Sequence, residues 1–245
     1  MNKKIQELCK KGNLEEIKQF YFDNPTIDDQ YIFRWFCEKG NLKVAKWLLE
    51  INPDINISAD DEYAFRFSCR ECYLELVKWL LEVKPDINIS ALNEFGFNWS
   101  CYYGHLEVAK WLLEVKPNIN ISANYEYAFR YSCYNGHLEL AKWLLEVKPD
   151  IDISALDEFA FQKSCVNGYL EVAKWLLKVK PNIDIFADHK FAFKMSCLNG
   201  HLKVEKFLLQ QNPHHYYVFA KKYNNINIIR KRIYNKTQKI IKSLL

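Results

Sequence analysis

Three Cys-x3-His pairs, Cys101/His105, Cys133/His137 and Cys197/His201, place a thiol and an imidazole one helical turn apart. Thiolate and imidazole are zinc ligands, so the pairs raise metal binding first. Structural zinc needs four ligands, and each pair offers two. Elsewhere Asn41, Tyr73 and Tyr169 stand where the His falls. The pairs therefore read as a small buried thiol followed by an exposed His at a helix start, with no metal ligands expected. His214-His215 is a polar doublet with nothing to support a metal role.

Other apparent chemistry thins out in the same way. Six of the eight cysteines, at 37, 69, 101, 133, 165 and 197, are evenly spaced. Helices packed one repeat apart lie about 8–10 Å from each other. A disulfide tolerates only about 4.4–6.8 Å between Cα atoms, so these read as free thiols. Asn56-Ile-Ser58, Asn88-Ile-Ser90, Asn120-Ile-Ser122, Asn98-Trp-Ser100 and Asn235-Lys-Thr237 match the glycosylation sequon, but three are one segment copied. Glu62, Glu94, Glu126 and Glu158 recur in register and read as a row of surface acids, not a catalytic dyad. No phosphate-cradling Gly-rich loop, HExxH or G-x-S-x-G motif is present. Neither catalytic residues nor a small-molecule substrate or cofactor is expected.

What orders these residues is a period of 32. Trp47, Trp79, Trp111, Trp143 and Trp175 share the spacing of the cysteines, and Phe207 falls where the next Trp is due. Such a period means stacked supersecondary units, none able to bury its apolar face alone. In the copy at 93–124, Asn93 reads as the cap of a helix running to about Tyr102, with Phe97 and Cys101 on one face. Gly104 ends it. A second helix spans about Leu106–Val115, with Leu106, Ala109, Leu112 and Leu113 as its apolar stripe. Pro117 forbids continuation. The alternation in Pro117-Asn118-Ile119-Asn120-Ile121-Ser122 predicts an extended arm.

Helix, tight turn, helix and arm, with the strings GHLEVAKWLLE at Gly104–Glu114 and GHLELAKWLLE at Gly136–Glu146, resemble the ankyrin repeat. PDINISA arms rich in Asn and Ile are similar to those of ankyrin proteins from giant DNA viruses. The resemblance implies an all-α, helix-pair repeat solenoid of about eight stacked repeats that binds proteins without catalysis. The family's T-P-L-H opening is replaced by Phe95-Gly96-Phe97-Asn98 or Tyr127-Ala128-Phe129-Arg130, and its closing Gly by Lys116-Pro117. The hydrogen bonds of the family's Thr and His must be replaced or absent. The tetratricopeptide repeat is the rival helix pair, but its W-x2-L-G spacing is missing.

The 245 residues read as one body: a shortened first unit over 1–28, six repeats over 29–213, and a basic C-terminal cap over 214–245. Hydrophobic content of 49% argues against disorder. No secretion signal or 18-residue apolar run occurs, which predicts a cytoplasmic protein without a membrane span. Formal charge is +4, yet no acid follows Glu205, whereas Lys221, Lys222, Arg230, Lys231 and Arg232 do. That cluster is either the solvated face of a terminal cap or a patch for nucleic acid or an anionic surface.

Packing positions must repeat, whereas contact positions need not. The residues before each Gly, the arm tips, and the residue two before each Cys differ between copies. Through the ankyrin resemblance these positions line the face used for partners. It places Leu92, Tyr102, Tyr103, Tyr125, Tyr131, Tyr134 and Val166 in a partner-binding site, with a composition typical of binding hot spots. The Trp row reads as packing against the neighbouring repeat. The expected protein is a monomer that grips a protein partner, with nucleic-acid binding through the tail as the alternative.

Overall fold

The computed structural model describes residue 7 and residues 13–185 and 187–211, the side chains of 188–190 excepted. Thirteen helices and no strand occur among them. Helix α1 (Leu14–Phe22) is followed by six helix pairs. These are α2 (Asp29–Glu38) with α3 (Leu42–Ile51), α4 (Ala59–Arg70) with α5 (Leu74–Val83), and α6 (Ala91–Tyr103) with α7 (Leu106–Val115). Then come α8 (Ala123–Tyr134) with α9 (Leu138–Val147), α10 (Ala155–Val166) with α11 (Leu170–Val179), and α12 (Ala187–Leu198) with α13 (Leu202–Gln211). The chain forms two compact units, the first ending at Asn120 and the second beginning at Ile121. In the first, α2 packs on α4 and α4 on α6; in the second, α8 packs on α10 and α10 on α12. Each unit is thus an all-α stack of helix pairs.

The core follows from the i, i+4 spacing of Phe and Cys on each first helix. Phe65/Cys69, Phe97/Cys101, Phe129/Cys133 and Phe161/Cys165 are all buried. Each fully buried Phe contributes about 1.5–3 kcal/mol. Desolvation raises the pKa of the buried thiols, which keeps them protonated and inert. The second helix buries Val108, Ala109 and Leu112, whereas Leu106 and Leu113 stay partly exposed. The stripe is therefore rotated toward Val108 from the expected one, because Leu106 opens the helix at the turn. Trp47 packs edge-on against Tyr21 and Phe22 of the preceding unit, and Trp175 lies 6.2 Å from the Phe129 ring.

The arms are not extended strands. Asn56, Asn88 and Asp152 each accept the N–H of the Ser two residues on, which makes an Asx turn. Three consecutive left-handed residues follow: Asp60-Asp61-Glu62, Leu92-Asn93-Glu94, Asn124-Tyr125-Glu126 and Leu156-Asp157-Glu158, with φ of 52–64°. Asn93, expected as a helix cap, therefore lies inside this turn, and the right-handed helix starts after Glu94. Left-handed residues other than Gly cost roughly 1–2 kcal/mol each, so the turn must be held from outside. A donor side chain from the next helical turn does so. Arg66 bonds the carbonyls of Asp60 and Asp61, Asn98 that of Asn93, Arg130 those of Asn124 and Tyr125, and Gln162 that of Asp157.

The row of glutamates corrects the sequence reading further. Glu62, Glu94, Glu126 and Glu158 are only 7–8% exposed. Each carboxylate accepts a backbone N–H from the following arm, at Asn88 (3.1 Å), Asn120 (3.1 Å), Asp152 (3.4 Å) and Asp184 (3.3 Å). Gln30 does the same one copy earlier, accepting from Asn56 N–H and donating to its carbonyl. These bonds stand in for those lost with T-P-L-H. A lysine completes the lock in alternate copies. Lys116 and Lys180, each followed by Pro-Asn, donate to Ser90 and Ser154, whose hydroxyls donate to Glu94 and Glu158. Lys84 and Lys148, each followed by Pro-Asp, pair instead with Asp86 and Asp150. There Ser58 Oγ, Glu62 Oε2 and Glu126 Oε2 are buried without a hydrogen-bond partner, as is Glu158 Oε2 beside Lys180, since Glu158 Oε1 takes both of that copy's bonds.

Candidate partner-binding surface

Each first helix turns its Phe/Cys face inward and leaves a row of half-exposed side chains on the opposite side. In the first unit these are rings. Tyr63 and Phe67 stack at 4.0 Å, Phe67 meets Phe95 at 5.5 Å, and Phe95 meets Trp99 at 5.6 Å. Trp99 then meets Tyr102 at 5.0 Å and Tyr103 at 5.7 Å. Cations cover the remaining faces, with Arg70 4.2 Å from the Phe67 centroid and Arg66 4.6 Å from that of Phe95. Ring faces are thus spent on one another and on guanidinium groups. In the second unit Tyr127 stacks on Tyr131 at 4.2 Å, and Phe159 meets Tyr131 at 5.3 Å and Tyr134 at 6.2 Å.

Charges on the first unit's row are mutually satisfied. Arg34 pairs with Asp60, Lys39 with Glu38, and Arg70 with Glu71 and Glu38. Tyr63 Oη donates to Glu38 at 2.6 Å. Burial, then the hydrogen bond to Glu38, pushes the Tyr63 pKa up to about 12. Burial disfavours ionised Glu38, but bonds from Lys39 and Tyr63 and the charges of Lys39 and Arg70 outweigh it and lower its pKa.

The sequence-derived residues divide between the two units. Leu92, Tyr102 and Tyr103 belong to the first, where the two tyrosines join the Trp99 cluster and Leu92 is an arm tip, 54% exposed. Tyr125, Tyr131, Tyr134 and Val166 belong to the second. Tyr131 and Tyr134 adjoin Phe159, Tyr125 is a tip at 75% exposure, and Val166 is half-buried at the end of α10. Lys221, Lys222, Arg230, Lys231 and Arg232 lie outside the described residues.

Two groups of residues differ from their sequence reading. Asn167 and Asn199 precede a Gly and vary between copies, yet they cap the preceding first helix by donating to Tyr134 O (2.8 Å) and Val166 O (2.9 Å). His105, expected to be exposed, is half-buried and bonds the Arg70 carbonyl at 2.9 Å. Conversely, Tyr63, Phe95, Tyr127 and Phe159 repeat in register and yet remain half-exposed. The signal for them was an aromatic four residues before each variable position, Phe67, Trp99, Tyr131 and Lys163, which puts both on one helix face. Leu156, 52% exposed, is a third apolar tip. Among the described residues no three His, Cys, Asp or Glu group to hold a metal ion, and no helix is long and apolar enough to cross a membrane.

Comparison with known proteins agrees with this architecture. A family model described as ankyrin repeats (many copies) matches residues 33–81 and 99–145, and one described as ankyrin repeats (3 copies) matches residues 131–218. No curated protein matches the chain. The two matches together span well over half of the residues and coincide with the helix pairs described above, so the chain belongs to the ankyrin repeat family.

Proposed function

We propose that this protein is a non-catalytic scaffold that grips a partner protein with its arm tips and the outward row of its first helices. Ankyrin repeats are generally protein–protein interaction modules. The observation that carries the reading for this chain is the exposure of Leu92, Tyr125 and Leu156 in left-handed backbone. Other copies fill those places with Asp60, Asp61, Asn93, Asn124 and Asp157, the residue types that enter this conformation most cheaply. Leucine and tyrosine there cost stability and bury little. Their presence is accounted for by contact with another molecule. The half-exposed rings of Tyr102 and Tyr103 extend the contact surface of the first unit, and those of Tyr131 and Tyr134, with Val166, that of the second. The Asn- and Ile-rich style, similar to viral ankyrin proteins, would put a monomeric scaffold in the host-cell cytoplasm.

The test is a variant carrying Leu92→Asn, Tyr125→Asn and Leu156→Asn. Asparagine suits the left-handed turn, so the melting temperature should hold or rise while capture of a cellular partner is lost. Undiminished capture would reject this surface. Nucleic-acid binding through the C-terminal cluster is the second reading, favoured by the absence of acids after Glu205. It predicts steeply salt-dependent retention of nucleic acid, abolished by removing residues 221–245.

A further inference from the structure

The two units treat charge on this outward row differently. In the first unit every ring-covering or ring-flanking cation named above, except Arg66, has a carboxylate partner; Arg66 is held by turn carbonyls. In the second unit Arg130 is likewise spent on turn carbonyls, but Lys163 is not. Its ammonium lies 4.4 Å from the Phe191 centroid and 5.6 Å from that of Phe159, and no carboxylate among the described residues pairs with it. The exposed Lys194, three residues beyond Phe191, has no such ion pair among the described residues either. The second unit's ion pairs among the described residues, Lys142–Glu139, Lys148–Asp150 and Lys174–Glu171, all belong to the second helices and the arms. Lys163 also breaks the register of the row, since the same place holds Trp35, Phe67, Trp99 and Tyr131 in the earlier copies. A lysine held between two rings is partly desolvated, which strengthens its attraction for an incoming anion.

We infer that the outward row of the second unit takes an acidic, aromatic-tolerant segment of a partner protein, with one carboxylate on Lys163 between Phe159 and Phe191 and apolar side chains against Tyr131 and Tyr134. This rests on the proposed scaffold reading and names the partner's chemistry. A protein carboxylate fits better than a nucleic-acid strand for two reasons. Bases bind by stacking on free ring faces, whereas Tyr131 and Phe159 already face Tyr127, Tyr134 and each other, with Arg130 4.9 Å from the Phe159 centroid. A phosphate backbone also needs several cations in line, and among the described residues this row offers Lys163 between two rings and the exposed Lys194.

The experiment pans the full chain against a displayed library of random peptides and then measures binding of the enriched peptides to variants. Enriched peptides should share Asp or Glu beside an apolar or aromatic residue. Their affinity should fall about tenfold in Lys163→Gln, with an unchanged melting temperature, and fall as salt rises from about 50 to about 300 mM. Lys163→Tyr, which restores the ring found at Tyr131, should lose the same preference. Enrichment of neutral or basic peptides, indifference of acidic ones to Lys163→Gln, or tighter retention of an oligothymidylate than of any peptide would overturn the inference while leaving a binding surface. If no peptide is enriched at all, the scaffold reading of this row falls with it.

Discussion

Replacing Glu94 tests whether buried carboxylates hold the arms. Glu94 Oε1 accepts Asn120 N–H at 3.1 Å, and Oε2 accepts the Ser90 hydroxyl at 2.6 Å, whose oxygen in turn receives Lys116. Hydrogen bonds to a charged group contribute about 1.5–3 kcal/mol each. Glu94→Ala removes both, but Lys116 is half-buried and reaches water, so the loss should be about 3 kcal/mol, not the full sum. Glu94→Gln keeps an oxygen for Asn120 N–H, and Gln30 already performs this task on Asn56. Its cost should be about 1 kcal/mol. For a chain of this size 1 kcal/mol moves the melting temperature by about 2–4 °C, which predicts a drop of about 6–12 °C for Ala and about 2–4 °C for Gln. Thermal unfolding by circular dichroism gives the ranking, and amide exchange at Asn120 gives its place. Equal effects of the two substitutions, or unchanged protection of Asn120 in the Ala variant, would refute the reasoning.

Gly136 and Gly200 share a left-handed φ near 80°, but a Cβ at Gly136 meets the Tyr169 ring at 2.5 Å, whereas no described residue lies within 4 Å at Gly200. Gly200→Ala should therefore cost about 1 kcal/mol and Gly136→Ala measurably more by urea unfolding; equal costs would remove the ring contact from the account. Cys72 occupies the same left-handed place without being Gly, at φ 68°, so Cys72→Gly should stabilise by about 1 kcal/mol. Asp86→Asn with Asp150→Asn should free Lys84 and Lys148 to engage the Ser58/Glu62 and Ser122/Glu126 sites and raise the melting temperature at neutral pH. The hydrogen bonds from Lys84 and Lys148 lower the pKa of Asp86 and Asp150. Because the folded carboxylates bind protons less readily than the unfolded ones, their contribution is present above the unfolded pKa and lost as pH falls through the folded value. A melting series from neutral to acid pH should show a shallower decline in the double variant.

The helix pairs were legible because their signals are local and redundant. Phe97 and Cys101 lie one turn apart, Gly104 supplies a left-handed stop, and Pro117 ends what Leu106 begins. The arms were not legible, because their conformation is decided by side chains elsewhere. Asn118-Ile119-Asn120-Ile121 alternates like a strand, yet the bond from Asn120 N–H to Glu94 bends it away from one. Glutamate is seldom buried without a partner, and its partners here come from an arm 26 residues downstream. Setting aside whatever repeats also misled at Phe95 and Phe159, which recur in register yet stay half-exposed on the outward row. Asn167 and Asn199 show the converse, since residues that vary between copies can still be structural caps.

The most direct test of the central claim is hydrogen–deuterium exchange on the full chain with and without its captured partner. Slowed exchange should be confined to the arm tips and first helices, about residues 91–104, 123–135 and 155–167, with Leu106–Val115, Leu138–Val147 and Leu170–Val179 unaltered. Protection concentrated on those second helices would contradict it.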